Sequence, residues 1–85
     1  MEKRIAVMSI IVEKSDSAFT LNNILHEASS FIIGRMGIPY REKNISVISV
    51  VVDAPQNEIA ALSGKIGNLD GVTVKTAYSN VISHE

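Results

Sequence analysis

One short segment of the sequence combines residue types that could hold a small anionic molecule. The segment Gly34–Arg41 (GRMGIPYR) contains two glycines, two arginines and a tyrosine. Glycine lets a ligand or another backbone approach closely, and guanidinium groups donate paired hydrogen bonds to carboxylates and phosphates. We therefore name Arg35, Tyr40 and Arg41 as candidate ligand-binding residues. A bulged edge strand adapted to an oligomer interface explains the same composition, and the two interpretations are compatible.

A second group of polar candidates lies where apolar runs give way to helical sequence. Glu13, Ser15 and Asp16 follow the first run, and Asp53 ends a later one. The three acids could form an acidic cluster, although helix capping and solubility explain the same residue types. We add Glu13, Ser15 and Asp16 to the candidate ligand-binding residues.

The sequence offers little for catalysis or metal binding. It contains no cysteine, and its two histidines are His26 and His84. His26 beside Glu27 does not supply a metal-ligand set on one helix face, and neither histidine has an obvious nucleophile and orienting acid. We expect no metal, no cofactor and no enzymatic activity. The alternative is a small dimeric ferredoxin-like enzyme, in which His26 or Glu13 would act as the general acid or base.

Composition excludes several other classes of function. With 85 residues and a net charge of −1, the chain lacks the basic excess of a nucleic-acid binder. No apolar run approaches the roughly 18 residues of a membrane span, and the N-terminus does not resemble a signal peptide. We expect a cytoplasmic protein with one domain over residues 1–85, ordered from about residue 4 to residue 79, that binds neither nucleic acid nor membranes.

Four segments have the composition of β-strands. Arg4–Glu13 and Ile45–Asp53 are nearly continuous apolar runs, typical of central strands. Phe31–Ile38 is predicted as an edge strand in which the glycines mark a bulge. In Val72–Tyr78, side chains alternate as in a strand with one solvent-exposed face. The tail after Asn80 is predicted to fray.

Two segments have apolar residues at helical spacing and complete the fold. They are Ala18–Ser30, which the Ser and Asp side chains of Lys14–Ser17 could cap, and Ala54–Gly67, for which Gly67 is predicted as a left-handed stop. The polar residues Arg41–Asn44 are predicted to connect a hairpin. Right-handed crossovers then give an α+β, ferredoxin-like (ACT-like) βαββαβ sandwich, with a four-stranded antiparallel sheet and both helices on one face.

The two central strands are apolar on both faces, whereas the helices can cover one face. Hydrophobic residues make up 46% of the chain, more than so small a core can bury. Covering about 400 Å² of apolar surface is worth on the order of 10 kcal/mol before association costs. We predict a homodimer or homotetramer, closed either sheet to sheet or edge to edge.

Four stretches of the sequence resemble the family of iron-only hydrogenase system regulators. They are Ile24–Glu27, Ile32–Lys43, Ile45–Asp53 and Leu62–Gly67, and the IIGRMGIPYREK run is specific to that family. The resemblance covers nearly the whole chain. It implies an ACT-like, oligomeric fold and a regulatory role.

A more distant similarity is to the C-terminal, metal-sensing domain of nickel-responsive repressors. His26 matches one of that domain's nickel ligands, but Gly37, Pro39 and Ile45 stand at the places of the others. The resemblance therefore implies no nickel site, and the repressors' DNA-binding domain has no counterpart in this sequence. Typical amino-acid-binding ACT domains also have a glycine after the first strand, which Lys14–Ser17 lacks.

These observations lead to one main hypothesis. We expect a homo-oligomeric regulatory module that binds a small effector, or a partner protein, near the subunit boundary. A structural adaptor without any ligand is the alternative if no effector binds, and metal sensing is a third option.

Overall fold

Residues 2–84 are described by a computed structural model, in which a four-stranded antiparallel sheet carries two helices on one face. The strand order is β2-β3-β1-β4, so the two apolar runs are the central strands. The fold is therefore the predicted ferredoxin-like one. Its elements are β1 (Glu2–Val12), α1 (Ala18–Glu27), β2 (Ile32–Tyr40), β3 (Ile45–Ala54), α2 (Gln56–Gly67) and β4 (Val72–His84).

The core lies between the helices and one face of the sheet. Along β1, buried and exposed residues alternate from Ala6 to Val12, because successive side chains of a strand point to opposite faces. In β3, buried residues alternate with partly buried ones from Ile48 to Ala54. The largest fully buried side chains are Met8, Ile10, Val50 and Val52 of the sheet, Leu21 and Leu25 of α1, and Ile59 and Ile66 of α2.

The loop between β1 and α1 is fastened to the turn that precedes β4. The Glu13 backbone N–H donates to the Gly71 carbonyl at 2.7 Å, and the Ser17 hydroxyl donates to the Asp70 carbonyl at 2.6 Å. The Lys14 ammonium pairs with the Asp70 carboxylate at 2.9 Å. Ser17 makes no side-chain cap hydrogen bond to α1, so the predicted capping role is wrong. Its hydroxyl is buried against the neighbouring turn instead.

The left-handed residue predicted at the end of α2 lies further along the chain. α2 ends at Gly67, but the following Asn68 is right-handed, and the positive φ of 70° belongs to Gly71. At Gly71 a Cβ atom would stand 2.5 Å from the Cγ of Lys14, so a side chain is excluded there by both backbone conformation and space. The prediction of Gly67 as a left-handed stop is therefore wrong.

β2 is an edge strand with a bulge, as predicted. Its register against β3 shifts between Ile32 and Gly34. The strand extends past the predicted end to Tyr40, because an edge strand tolerates the missing N–H of Pro39. A 3₁₀ turn over Arg41–Lys43 and a left-handed Asn44, with φ of 55°, then lead into β3.

β4 is longer than the sequence pattern indicates. It runs to His84, which pairs with Glu2 of β1, so the prediction that the tail frays after Asn80 is wrong for residues 81–84. Arg4 pairs with Ile82 and Ala6 with Tyr78, which leaves extra β4 residues in a bulge. The extended start of β1 offers these tail residues a hydrogen-bonding edge, which their own composition does not reveal.

Candidate ligand-binding cleft

A cleft of about 400 Å³ opens beside the β2–β3 hairpin, between that hairpin and the start of α1. Its size is within the range of about 300–1,000 Å³ that is usual for small-molecule sites. The residues that line it are Val12, Ser15, Ala18, Leu21, Asn22, Arg35, Gly37, Ile38, Pro39, Tyr40, Arg41, Asn44, Ile45, Ser46 and Ile48.

The strand register places Arg35 inside the helix-covered side of the sheet. Arg35 stands opposite the buried Val50, so its side chain leaves β2 toward α1. One terminal nitrogen of its guanidinium donates to the Asn22 Oδ1 at 3.1 Å. The side-chain amide of Asn22 therefore holds the guanidinium of Arg35 at the wall of the cleft.

Gly37 leaves the floor of the cleft open. It stands opposite Ile48 in the β2–β3 ladder, and a Cβ atom at Gly37 would lie 3.9 Å from the Cγ1 of Ile48. A longer side chain at this position would extend over Ile48 and occupy the cleft. The glycine therefore leaves the small exposed part of Ile48 accessible from the cleft, above the buried Leu21 and Val12.

The charged residues of the cleft wall are two arginines and no carboxylate. Arg35 is bonded to a neutral amide, and Arg41 makes no hydrogen bond or ion pair with any side chain that the structure describes. Neither positive charge is thus neutralised by a described side chain. The lining residues thus carry two positive charges and no negative one, which favours an anionic ligand, while the Glu42 carboxylate next to the cleft is bonded to Tyr40.

Tyr40 and Ile38 border both the cleft and the uncovered side of the sheet. They pair with Ile45 and Val47, and Ile38 shares the uncovered face with its partner Val47. Both side chains are partly solvent-exposed, Ile38 at 52% and Tyr40 at 44%. The Tyr40 hydroxyl donates to the Glu42 carboxylate at 3.1 Å, which holds the ring near the hairpin.

The uncovered side of the sheet is predominantly apolar around its two central strands and β2. Ser9 and Ser49 pair in its middle, and Thr73 and Lys75 lie toward the β4 edge. We refer to its exposed large hydrophobic residues as the apolar sheet face. They are Val7 and Ile11 of β1, Met36, Ile38 and Tyr40 of β2, and Val47 of β3.

The structure brings four of the six candidate residues together at one cleft and leaves two outside it. Ser15, Arg35, Tyr40 and Arg41 line the cleft, whereas Glu13 and Asp16 do not. The fold adds polar residues that the sequence did not single out, because they come from other elements. These are Asn22 of α1, Asn44 of the hairpin and Ser46 of β3.

The acidic cluster proposed from the sequence does not form. Glu13 follows the end of β1, whereas Asp53 pairs with Ile5 near the other end of that strand. The separation is roughly 25 Å at the usual rise per strand residue. The two strand-to-helix junctions lie at opposite ends of an antiparallel sheet, so their acids cannot meet.

Lys14, in the loop that follows β1, has a raised pKa. The hydrogen bond from its ammonium to the Asp70 carboxylate, with the attraction between the two charges, raises the pKa of Lys14 above its usual 10.5. Both side chains are exposed. The pair belongs to the loop attachment next to Ser15 and not to the cleft lining.

Neither a metal site nor a membrane-spanning helix is found within residues 2–84. No three His, Cys, Asp or Glu side chains among those that the structure describes are grouped so that they could hold a metal ion. His26 is exposed on α1, while Gly37, Pro39 and Ile45 lie on the cleft lining. No helix of the range has the length and apolar character needed to cross a bilayer.

Comparison with protein families gives a match over most of the chain. Residues 4–76 match the family described as "TM1266-like: Iron-only hydrogenase system regulator, putative". A solved structure of the uncharacterized protein TM1266 from Thermotoga maritima is 38% identical and superimposes with a TM-score of 0.86, over 89% of this chain and 96% of that one. No curated protein matches the chain.

Two other solved structures are similar in fold alone. A formyltetrahydrofolate deformylase from Pseudomonas putida KT2440 is 12% identical with a TM-score of 0.65, over 91% of this chain and 29% of that one. CPII, a nitrogen regulatory PII-like protein from Thiomonas intermedia K12 bound to ADP, AMP and bicarbonate, is 13% identical with a TM-score of 0.52, over 94% of this chain and 99% of that one.

Proposed function

Because this chain belongs to the TM1266-like family of iron-only hydrogenase system regulators, we propose that it is a self-associating regulatory module whose assembly responds to a small effector bound in the cleft. The effector would contact Ser15, Arg35, Tyr40 and Arg41, which line the cleft. Glu13 and Asp16 are not part of the proposed site. A second copy of the chain would cover the apolar sheet face.

The observation that carries this proposal is that two residues of β2 belong to both surfaces. Ile38 and Tyr40 line the cleft and are also members of the apolar sheet face. A ligand that contacts the cleft side of this strand segment restricts the positions in which the segment presents the Ile38 and Tyr40 side chains to a second subunit. Binding in the cleft and assembly through the sheet would therefore be coupled through the same two residues.

The coupling works in both directions, because it is a free energy shared by two binding events. A ligand that prefers the assembled form shifts the equilibrium toward assembly, and assembly then raises the affinity for the ligand by the same factor. A regulator needs such a link between what it senses and the surface that it presents. The cleft alone, or the apolar sheet face alone, would not supply it.

A role in sensing agrees with the cleft's polar lining better than catalysis does. The general acid or base of an enzyme is most often a histidine or a carboxylate, and neither residue type is present among the residues that line the cleft. His26 and Glu13, the two candidates for that role, lie outside the lining. These features support a binding site that does not transform its ligand.

Sedimentation velocity combined with calorimetry tests the proposal. The wild-type chain is expected to assemble at micromolar concentration, and an effector that binds in the cleft is expected to shift its sedimentation coefficient. AMP, ADP and bicarbonate are suitable first probes, since the PII-like neighbour was bound to them. Amino acids and other metabolite anions would follow.

A pair of variants separates coupling from general damage. Ile38→Ala is expected to weaken both assembly and effector binding, whereas Ala60→Lys, at an exposed position of α2, is expected to change neither. If the wild-type chain assembles but no probe binds, the structural adaptor is left as the function. A wild-type chain that stays monomeric at micromolar concentration would refute the proposal as a whole.

A further inference from the structure

We infer that the ligand of the cleft is a small molecule that combines an oxyanion, either a carboxylate or a phosphate, with a compact apolar body. The inference rests on the proposed function and specifies the chemical class of its effector. In this arrangement Arg35 and Arg41 receive the oxyanion, and the floor beneath Gly37 receives the apolar body.

The charge of the cleft selects an anion. Arg35 and Arg41 line the cleft, and no aspartate or glutamate is among the other lining residues. The chain as a whole has a net charge of −1, so this local positive charge is not a consequence of a basic composition. A cation or an amine would be repelled from such a wall, while an oxyanion would satisfy it.

The position of Arg35 is set before any ligand arrives. Its hydrogen bond to Asn22 uses one N–H group of a guanidinium that has five. The remaining N–H groups are available for an oxyanion. Because Asn22 already restricts the side chain, less conformational entropy is lost when a ligand binds than for an unattached arginine.

The apolar part of the ligand follows from the floor of the cleft. Gly37 leaves the exposed edge of Ile48 accessible from the cleft, and Ala18 and Pro39 add further apolar lining that is not fully buried. A bare inorganic anion would leave this surface in contact with water. The volume of about 400 Å³ suits a metabolite and is too small for a folded partner.

Matched fragment pairs test the inference with the full chain. Benzoate and phenyl phosphate carry an oxyanion on an apolar ring, benzamide and benzyl alcohol are their neutral counterparts, and acetate and inorganic phosphate lack the ring. Protein-observed NMR titration reports both the affinity and the residues whose amides shift. We expect the two ring anions to bind at least roughly 10-fold more tightly than the neutral compounds and the small anions, with shifts in residues 35–46.

Three substitutions that each remove one positive charge test where the oxyanion binds. Arg35→Gln and Arg41→Gln are each expected to weaken ring-anion binding by roughly 10-fold or more. Lys43→Gln removes the same charge from the same 3₁₀ turn as Arg41, at an exposed position outside the cleft lining, and is expected to change affinity less than about 2-fold. Arg35→Lys keeps the charge and tests whether the forked geometry is needed, and amide spectra check that each variant is folded.

The outcomes separate this inference from the function on which it rests. If neutral rings bind as tightly as anions, or if Lys43→Gln weakens binding as much as Arg41→Gln, the oxyanion assignment is overturned while the cleft keeps its proposed role. If ring anions bind in the cleft without changing sedimentation, the ligand class is supported and the coupling to assembly is refuted. If no probe shifts the cleft residues, both are refuted.

Discussion

A charge placed at the centre of the apolar sheet face is expected to abolish self-association. Val47 is paired with Ile11 on one side and with Ile38 on the other, so it is the middle of a row of three exposed aliphatic side chains. Val47→Lys would bury an ammonium in each half of a sheet-to-sheet dimer. Because Val47 is already 39% exposed in the single chain, the monomer should tolerate the lysine.

The expected magnitude follows from how much of the apolar sheet face is still uncovered. Its six residues are between 37% and 61% exposed. Full burial of such a side chain is worth about 1.5–3 kcal/mol, so covering the remaining part contributes roughly 1 kcal/mol per side chain, or roughly 12 kcal/mol for two subunits. Association costs about 4–15 kcal/mol, so the balance is narrow.

An unpaired buried charge costs several kcal/mol, which is enough to reverse this balance. We expect Val47→Lys to raise the dissociation constant at least about 100-fold, which corresponds to about 2.8 kcal/mol. Sedimentation equilibrium from nanomolar to micromolar concentration measures it. Ala60→Lys adds the same charge on an exposed helical position and should leave the constant unchanged. If Val47→Lys assembles like the wild-type chain while remaining folded, the sheet face is not the interface, and an edge-to-edge contact would be favoured.

Three further predictions concern stability and protonation. Gly71→Ala should lower the free energy of unfolding by about 1–2 kcal/mol, because the φ of 70° and the Lys14 side chain leave no room for a Cβ atom. Gly64→Ala should raise it by up to about 1 kcal/mol, because nothing lies within 4 Å of the added Cβ atom. Urea denaturation measures both values, and equal changes in the two variants would contradict this prediction. Thr76→Val should raise the free energy of unfolding by about 1 kcal/mol, because the Oγ1 of Thr76 is buried without a hydrogen-bond partner among the described residues. A lower free energy of unfolding in the same assay would contradict this prediction. Asp70→Asn should move the pKa of Lys14 back toward 10.5 in an NMR titration. Since the folded pKa is the raised one, the pair stabilises the fold below pH 10.5 and its contribution is lost as the pH rises through that folded value; an unchanged titration in Asp70→Asn would exclude the pair as the cause.

The arrangement of the elements could be predicted because their signals are local. The two apolar runs are rich in β-branched residues, which identifies the central strands, and the glycines with Pro39 identify β2 as an edge. The last part of β4 could not be predicted in this way, since the strand formed by residues 81–84 depends on pairing with the start of β1. A partner that is distant along the chain leaves no periodic signature in the segment itself.

The candidate site could be predicted only as far as one segment of chain supplies it. Arg35, Tyr40 and Arg41 are close in sequence and lie together at the cleft. Asn22 and Ser46 join them because α1 packs across β2 and because the hairpin returns β3 alongside. Glu13 has the right residue type for a ligand contact, but the backbone bond from Glu13 to Gly71 belongs to a turn outside the cleft lining.

The pairing of Glu2 with His84 brings the two ends of the described chain side by side, at the end of the sheet opposite the hairpin. A short peptide could therefore join residue 84 to residue 2 without crossing the molecule, and new ends could be opened in the exposed turn at Arg41–Asn44. Such a circular permutant would keep the order of the four strands within the sheet. Likewise, a fluorophore or a fused protein attached next to residue 2 or residue 84 would stand far from Arg35 and Arg41.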